Sequence, residues 1–334
     1  MLIPLLIFTS CSKPEKTGNE PYLFLDSVLS LKILDDDVDK DKITSDVRKR
    51  LETIENEMST HLASSDISKV NSNAGVKPVP VSEDILDLLS ITEKYVSYTK
   101  NNPAGRFDIR IYPVVKLWDI GGSGERVPNA QELSDALAKV NSKMTVDRKN
   151  KTIYLEQKGM GIDLGGCAKG YADDEIVKIL NENGVKSAII DLGGNIYVHG
   201  SKAGKTFKVA IQDPQKSDGY IGVLDIKDSS VVTSGIYERF FEKDGVCYHH
   251  ILSTTDGYPV NNGLVSVSVI GKSSTVCDIM STSLFLLGQD KGLETANQIP
   301  DIEAVFLNDK GEIYLTDGAK KIFTKGDNSY KVAN

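Results

Sequence analysis

The feature that most constrains this chain is a glycine-rich stretch, Gly161–Asp174, with the sequence G-I-D-L-G-G-C-A-K-G-Y-A-D-D. Apolar residues up to Leu164 predict the end of a strand, and Gly165 and Gly166 then allow the backbone to turn tightly. From there the apolar residues of Ala168–Leu180 recur at helical spacing, so a helix is predicted directly after the turn. Such a turn presents free N–H groups and the positive end of a helix, which together suit an anion such as phosphate.

Two charged residues flank this turn. Asp163 is suited to binding a sugar hydroxyl or an amide edge, and Lys169 is suited to binding a phosphate oxygen. A plain structural turn is the alternative, because glycine pairs before helices are common. The stretch alone does not decide between the two interpretations.

A second stretch, Val276–Thr282, combines a carboxylate with a hydroxyl. It follows a predicted strand, Leu264–Ile270, and opens an apolar helix predicted over Met280–Leu287. Asp278 and Thr282 are four residues apart and therefore share one face of a helix. Their oxygens would form a hard site that suits Mg²⁺ rather than zinc. The alternative is a helix cap, with Asp278 as the N-cap and the Thr282 hydroxyl bonded back to the helix.

Together these two stretches resemble the ApbE family, the FAD:protein FMN transferases. The matching motifs are D-L-G-G-C-A-K-G-Y-A-D-D at 163–174 and D-x-x-S-T at 278–282. Further pieces occur in the family's order, namely Met58–Thr60 (M-S-T), Gly105–Trp118, Asp191–Asn195 (D-L-G-G-N), Thr233–Phe241 (T-S-G-I-Y-E-R-F-F) and His250–Pro259 (H-I-L-S-T-T-D-G-Y-P). The resemblance covers residues 22–324.

The resemblance implies a flavin site assembled from several separate segments. The residues that it implies for contact with FAD are Met58, Asn73, Trp118, Asp119, Ile120, Asp163, Lys169 and Leu252. Asn73 is chosen from the loop 72–80, where the family places a flavin contact of variable type. Trp118 is the only tryptophan of the chain, and a core position is its alternative interpretation.

The resemblance also implies a metal site and a base. Asp278 and Thr282 would bind Mg²⁺ through side-chain oxygens, Gly166 would add its backbone carbonyl, and Ser281 stands where the family adds another ligand. The general base would be His250, because imidazole is partly neutral at pH 7 and can accept a proton. Without the resemblance, a surface histidine pair is the favoured interpretation of His250 and its neighbour.

Away from these motifs, hydrophobic periodicity predicts further elements. A strand is predicted over Tyr22–Leu34, and amphipathic helices are predicted over Ile43–Met58, Glu83–Thr99 and Asn129–Val140. Ser82 is placed to cap the second of these helices. The sequence shows no internal repeat and no low-complexity run.

Length and charge bound the classes of function. The 334 residues allow a large core, and the net charge of −8 argues against nonspecific binding of nucleic acid. An anionic ligand such as FAD would then depend on local positive groups or on a metal.

The first residues resemble the end of a bacterial lipoprotein signal. The segment 1–11 reads M-L-I-P-L-L-I-F-T-S-C, in which Cys11 would be lipidated, and residues 12–21 read as a polar tether. The run is too short to span a bilayer. An ordinary apolar N-terminus with a free cysteine is the alternative. We therefore expect a membrane-anchored protein on the periplasmic or extracytoplasmic face, with residues 22–334 forming the flavin transferase domain.

The sequence thus predicts an α+β fold, with mixed sheets and interleaved helices, in the arrangement of flavin transferases. The expected reaction is the Mg²⁺-dependent transfer of FMN from FAD to a threonine or serine hydroxyl of a partner protein, with release of AMP. One alternative is an FAD pyrophosphatase, which would use the same residues with water as the acceptor. Another is a non-catalytic FAD-binding lipoprotein, and a third is a purely structural lipoprotein.

Overall fold

The computed structural model describes residues 22–99, 106–326 and 329–334, so the predicted signal, Cys11 and the tether lie outside the described residues. Helices alternate with strands, which confirms the α+β class. The helices are α1 (Lys40–Met58), α2 (Asp66–Ser72), α3 (Glu83–Val96), α4 (Tyr112–Trp118), α5 (Ala130–Val140), α6 (Ala168–Glu182), α7 (Ser274–Leu287), α8 (Gln289–Gln298) and α9 (Ala319–Ile322), with a 3-10 turn at Ile109–Ile111.

Most of the strands belong to one large sheet. Its order is β1-β2-β6-β7-β10-β13-β14-β15-β17, and neighbours are antiparallel except for the parallel β15–β17 pair. The strands are β1 (Tyr22–Phe24), β2 (Ser27–Ile33), β3 (Val79–Pro80), β4 (Met144–Asp147), β5 (Thr152–Leu155), β6 (Ser187–Leu192), β7 (Asn195–Gly200), β8 (Phe207–Asp213), β9 (Lys216–Ile226), β10 (Ser229–Gly235), β11 (Phe240–Lys243), β12 (Val246–His249), β13 (Leu264–Gly271), β14 (Ile302–Asn308), β15 (Glu312–Leu315), β16 (Phe323–Lys325) and β17 (Lys331–Val332).

The amphipathic helices form where capping and periodicity agree. The Ser82 side chain accepts the backbone N–H of Ile85 at the start of α3, as predicted. Asn129 and Glu132 form a reciprocal capping box at the start of α5. The buried stripe of α1 repeats every three or four residues and consists of Ile43, Val47, Leu51, Ile54 and Met58.

The predicted strand over 22–34 is instead a tight hairpin. Phe24 pairs with Ser27, and the two residues between them, Leu25 and Asp26, have φ angles of 44° and 59°. Alternation of apolar residues continues through such a turn, so the alternation alone did not reveal it.

The apolar residues before the glycine turn do not end a strand. Residues 160–164 belong to no sheet, and side-chain and loop groups satisfy this backbone. The Asn71 side chain accepts the Ile162 N–H at 2.7 Å and donates to the Ile162 carbonyl at 2.9 Å. The Asp163 N–H donates to the carbonyl of Ile109 at 2.7 Å. The strand end predicted at Leu164 is therefore wrong, and Asn71 and Ile109 supply the partners of this backbone.

Helix α7 begins six residues before the predicted Met280. The Ser273 side chain accepts the N–H of Val276, so Ser273 rather than Asp278 is the N-cap. The capping interpretation of Asp278 is therefore wrong, because this residue lies in the second turn. The helix packs on β10 and β13 and is buried on nearly all sides. It accordingly shows little of the periodicity that would mark its start.

Candidate active site

The site is built where α6 and α7 cross. At the crossing a Cβ on Gly170 would lie 2.4 Å from the Ser274 carbonyl oxygen and 2.8 Å from the Cβ of Asp278. Because only glycine lets the two backbones approach so closely, the first turn of α6 contacts the second turn of α7 directly. The glycine turn and the 278–282 motif are thereby joined, although 108 residues separate Gly170 from Asp278.

The Asp278 carboxylate points to the start of α6. Its Oδ2 accepts the backbone N–H of Gly170 at 2.9 Å, and the residue is only 5% exposed. Burial raises the pKa of Asp278 above its ordinary value, while Lys169 and the Gly170 N–H oppose that rise. Lys169 thereby favours the ionised carboxylate, which is the form that binds a metal cation.

Three hydroxyl groups lie next to this carboxylate, two of them on α7 and one on β10. The Ser234 Oγ of β10 lies 2.8 Å from the Ser281 Oγ and 3.0 Å from the Thr282 Oγ1. Ser281 also donates to the carbonyl of Asp278 at 3.0 Å. Asp278, Ser281 and Thr282 are therefore brought together, as the motif predicted, and Ser234 is a neighbour that the motif did not name.

Gly166 lies within the turn and faces the ring of Phe107. A Cβ at this position would lie 2.7 Å from the ring of Phe107, so a side chain would displace that ring. The N–H groups of Cys167 and Ala168 both donate to the carbonyl of Leu164, which closes the turn ahead of α6. Within the described chain, no hydrogen bond uses the carbonyl oxygen of Gly166, so this oxygen is free to accept a ligand.

Asp163 and Lys169 flank the turn on its open side. The Asp163 Oδ1 accepts the Gly165 N–H at 2.7 Å, which fixes the carboxylate against the turn. Burial raises the pKa of Asp163, and His61 and Arg239 lie close enough to oppose that rise. Lys169 is half-buried and lowers the pKa values of the carboxyls around it, so it is the local cation that the site presents.

The two adjacent histidines have different surroundings. His249 is buried in β12, where its Nε2 lies 3.0 Å from the Val260 carbonyl and its Nδ1 accepts the Ile251 N–H at 3.3 Å. His250 is half-buried, and its Nδ1 lies 3.2 Å from the Arg239 carbonyl. Desolvation lowers the pKa of His250 to about 4, so its ring is neutral at pH 7.

Sequence reasoning did not select Glu238. This residue is exposed by surface area, yet protein atoms crowd its carboxyl, and desolvation raises its pKa to about 7. Lys169 opposes that rise and Asp278 adds to it, which places Glu238 beside both residues. The only signal in the sequence is its position within T-S-G-I-Y-E-R-F-F, one residue before Arg239.

Trp118 is a core residue in this structure. Its indole is fully buried, and its Nε1 donates to the carbonyl of Gly257 at 2.7 Å. The rings of Tyr248 and Tyr258 pack against it, with centroids 5.3 and 5.6 Å away. Leu252 belongs to the same apolar cluster and is 8% exposed. The indole of Trp118 therefore has no exposed face for the predicted contact with flavin.

The two residues after Trp118 form the end of α4. Asp119 adopts a left-handed conformation with φ of 48°, and its Oδ2 accepts the Gly124 N–H at 2.8 Å. Asp119 is exposed and Ile120 is half-buried, so both are more accessible than the tryptophan.

Met58 and Asn73 have different surroundings. Met58 ends α1 and is 2% exposed within the main core. Asn73 donates to the Lys69 carbonyl at 2.9 Å and so closes its own helix, α2. Asn71, which the sequence interpretation did not select, is the residue of this segment that bonds to Ile162 beside the motif.

Two features are absent from the described residues. They contain no group of three or more histidine, cysteine, aspartate or glutamate side chains that could hold a metal ion. The candidate metal site has a different composition, with one carboxylate, hydroxyls and a backbone carbonyl. Among the helices in residues 22–99, 106–326 and 329–334, none is long and apolar enough to cross a membrane.

Comparisons with known proteins agree on one family. The sequence model of the ApbE family matches residues 25–306. A protein of Klebsiella pneumoniae named FAD:protein FMN transferase is 36% identical over 292 residues, which cover 87% of this chain and 90% of the relative. A protein of Treponema pallidum with the same name is 35% identical over 266 residues, covering 75% of this chain and 72% of the relative.

Solved structures show the same likeness. The ApbE protein of Thermotoga maritima superimposes with a TM-score of 0.82 at 26% identity, covering 91% of this chain and 98% of that one. The flavin transferase ApbE of Vibrio cholerae gives a TM-score of 0.79 at 25% identity, with the same coverage of both chains. The expected flavin-transferase arrangement of the α+β fold is therefore confirmed.

Proposed function

This chain belongs to the ApbE family, and we propose that it is an FAD:protein FMN transferase. It would move FMN from FAD to a threonine or serine hydroxyl of a partner protein and release AMP. The observation that carries the proposal is the junction of α6 and α7. There the Asp278 carboxylate, the Thr282 hydroxyl and the Lys169 ammonium lie around a glycine turn whose Gly166 carbonyl accepts no hydrogen bond from the described residues.

The donor set at this junction fits Mg²⁺. Asp278 offers a carboxylate, Thr282 a hydroxyl and Gly166 an unused carbonyl, and all three are hard oxygen ligands. When bound there, Mg²⁺ would neutralise charge between the two phosphoryl groups of FAD. The hydroxyl of Ser281 already bonds to Ser234 and to the Asp278 carbonyl, so it is better suited to holding the ligands in place than to binding metal directly.

The remaining residues bind and orient the flavin nucleotide. The Lys169 ammonium is suited to a phosphate oxygen, because it follows the turn in the first turn of α6. Asp163 is held by the Gly165 N–H and can accept a hydrogen bond from an amide or hydroxyl of FAD through its other oxygen. Arg239 adds positive charge near Asp163. Because the net charge of the chain is −8, an anionic substrate would depend on such local positive charge.

His250 would accept the proton of the incoming hydroxyl. Because the Arg239 carbonyl can only accept a hydrogen bond, the His250 Nδ1 beside it carries the proton. The lone pair of Nε2 is then available. The hydroxyl oxygen forms a bond to the phosphorus of the FMN half, the bond from that phosphorus to the oxygen of AMP breaks, and the proton passes to Nε2.

A transfer assay tests this proposal directly. The protein is incubated with FAD, Mg²⁺ and a folded acceptor domain whose modified threonine is known, with the Thr→Ala variant of that domain as control. Mass spectrometry of protein and nucleotide products should show FMN on the wild-type acceptor only, together with AMP. Free FMN and AMP with unmodified acceptor would instead identify a pyrophosphatase, and unchanged FAD would identify a binding protein.

We also propose that Cys11 is lipidated and anchors the protein to a membrane at its periplasmic or extracytoplasmic face. The support is the apolar run that ends in T-S-C and the polar segment behind it. One acyl chain binds a membrane only marginally, so two or three are expected. In cell fractionation, Cys11→Ser should move the protein to the soluble fraction, whereas Cys247→Ser, at an exposed free cysteine, should not. Unchanged membrane association of Cys11→Ser contradicts the proposal.

A further inference from the structure

The D-L-G-G-N motif, Asp191–Asn195, is not explained by the proposed reaction. In the sequence it looks like a second copy of the glycine turn, yet it joins two antiparallel strands rather than a strand and a helix. Leu192 pairs with Asn195 across the turn, and Gly193 and Gly194 have φ angles of 58° and 90°. Two successive positive φ angles explain the glycines as requirements of a two-residue hairpin. They leave the asparagine unexplained.

The amide nitrogen of Asn195 is buried without a hydrogen-bond partner among the described residues. The residue is 2% exposed, and within the described chain its Nδ2 has no hydrogen-bond partner. Buried amide groups nearly always have a partner, so this nitrogen calls for a specific explanation. Asn195 is the first residue of β7, and α7 packs across that strand.

The group that faces this amide is the Asp278 carboxylate. The Asn195 side chain lies near enough to lower the pKa of Asp278, although the distance or angle falls short of a completed hydrogen bond. Only the nitrogen end of the amide can face a carboxylate favourably, because its oxygen would repel the negative charge. Asp278 meanwhile uses Oδ2 for the Gly170 N–H, so α6 holds one side of the carboxylate and β7 supplies a donor for it.

A second unpartnered atom lies close by. Asp173 is fully buried; its Oδ2 accepts the Ser274 hydroxyl at 2.9 Å, and its Oδ1 has no partner among the described residues. Ser274 in turn accepts the Ser230 hydroxyl at 2.9 Å. Burial raises the pKa of Asp173 well above its ordinary value, and Asp278 contributes to that rise. The buried polar side chains of Asp173, Ser274 and Ser230 therefore lie on the protein side of Asp278.

Resting on the proposed function, we propose that Asn195 is a positioning residue that holds the Asp278 carboxylate in the orientation required to bind the divalent cation. The amide would donate to the carboxylate and leave the remaining lone pairs for the metal. Groups that orient a metal-binding carboxylate typically change metal affinity by about 10- to 100-fold when removed. This role would explain the motif D-L-G-G-N, because its glycines form the turn that places the Asn195 amide beside Asp278.

The test measures Mn²⁺ binding to the full chain without FAD, from the electron paramagnetic resonance signal of free Mn²⁺. Asn195→Ala should weaken binding about 10- to 100-fold. The matched control is Asn308→Ala, because Asn308 is a buried asparagine of the same sheet whose amide bonds to Gln289 and Glu312. The control should bind Mn²⁺ like the wild type. Asn195→Ser, which keeps a donor of smaller reach, should recover part of the affinity.

Two further readouts separate positioning from general damage. In the transfer assay, Asn195→Ala should require more Mg²⁺ for half-maximal rate but should approach the wild-type rate at saturating Mg²⁺, which a misfolded site would not do. Asn195→Asp should bind Mn²⁺ no better than Asn195→Ala. Tighter binding by Asn195→Asp would identify this position as a direct ligand and overturn the positioning role.

Two outcomes would show whether the role of Asn195 or the metal site itself is wrong. Wild-type affinity in Asn195→Ala, with Asp278→Ala unable to bind Mn²⁺, overturns this inference and leaves the proposed metal site intact. Unchanged Mn²⁺ binding in Asp278→Ala overturns the metal site and the role of Asn195 together.

Discussion

The carboxylate of Asp278 accepts the backbone N–H of Gly170 at 2.9 Å, so a residue of α7 closes the first turn of α6. The exchange is reciprocal, because Asp174 of α6 accepts the N–H groups of Ser274 at 2.7 Å and Thr275 at 3.1 Å at the start of α7. Each helix thus supplies a carboxylate to free N–H groups of the other. This arrangement fixes the candidate metal ligand relative to the glycine turn and Lys169.

We predict that Asp278→Asn and Asp278→Ala both abolish FMN transfer but differ in stability. Asparagine retains an oxygen that can accept the Gly170 N–H, whereas alanine leaves that donor buried and unpaired. Loss of the bond should cost alanine about 1–2 kcal/mol in the free energy of unfolding relative to asparagine. Single-turnover transfer at millimolar Mg²⁺ and urea denaturation measure the two effects. Full activity of either variant at micromolar Mg²⁺ would remove Asp278 from the metal site.

We predict that Gly170→Ala destabilises the protein although it lies within a helix. Propensity alone would favour alanine by about 1 kcal/mol. However, the new Cβ would lie 2.4 Å from the Ser274 carbonyl oxygen and 2.8 Å from the Cβ of Asp278, so the helices would have to separate. The expected net loss is about 1–3 kcal/mol, measured by urea denaturation. Glu182→Ala, at an exposed position of the same helix, should be near neutral. A stabilised Gly170→Ala would show that the crossing is loose.

The elements that were predicted correctly are those in which local signals agree. Helix α3 starts at Ser82 because this side chain caps it, and the stripe of α1 follows from its spacing. Helix α7 was predicted too short because the residues after Ser273 are small and buried on all sides, which leaves no periodic contrast. The apolar residues around Ile162 indicated burial but could not indicate that the side chain of Asn71 satisfies the backbone of Ile162.

The candidate site was predicted through its motifs, and its supporting residues were not. Asp278 and Thr282 could be paired because four residues separate them within one helix. Their neighbour Ser234 comes from β10, and only the packing of α7 on that strand brings it within 3.0 Å of Thr282. The same holds for Glu238, whose pKa depends on Lys169 and Asp278 from other elements. Such contacts depend on tertiary structure, to which residue spacing gives no access.

A partly buried charge network around Arg50 leads to a prediction about pH. The Arg50 guanidinium bridges Asp84 of α3 and Glu175 of α6, and the Tyr171 hydroxyl donates to Asp84 at 3.0 Å. Glu57 lies beside Asp84, and its buried Oε2 has no partner among the described residues. Desolvation, together with the charge of Asp84, raises the pKa of Glu57 from 4.5 to about 7.

We predict that Glu57→Gln stabilises the protein at pH 8 and has a smaller effect at pH 5. The folded state binds the Glu57 proton more tightly than the unfolded state does, so this group's contribution is fully present below pH 4.5. It is lost as the pH rises through about 7, and glutamine, which cannot ionise, avoids that loss. Urea denaturation at pH 5, 6, 7 and 8 measures the difference. Exposed Glu52→Gln on the same helix is the control, and an equal pH dependence of both variants contradicts the prediction.

The last prediction concerns the two adjacent histidines. Both ring nitrogens of His249 are engaged, one with the Val260 carbonyl and the other with the Ile251 N–H, so this ring has no nitrogen left for a substrate. His250 engages Nδ1 with the Arg239 carbonyl, which leaves Nε2 available. We expect His250→Ala to slow single-turnover FMN transfer by about 10²–10⁴-fold with little loss of FAD binding. His249→Ala should retain most of the transfer rate of the folded protein.

The pH dependence of the same reaction is a sharper test of His250. Because burial lowers the pKa of His250 to about 4, the ring stays neutral well below the ordinary histidine pKa of 6.5. The wild-type transfer rate should therefore not fall between pH 8 and pH 6, and any decline that belongs to His250 should occur only as the pH approaches 4. If His249→Ala is the slowed variant, the register of the histidine pair is wrong by one residue. If neither variant is slowed, His250 is structural and another group accepts the proton, and Glu238 is a candidate because desolvation raises its pKa to about 7.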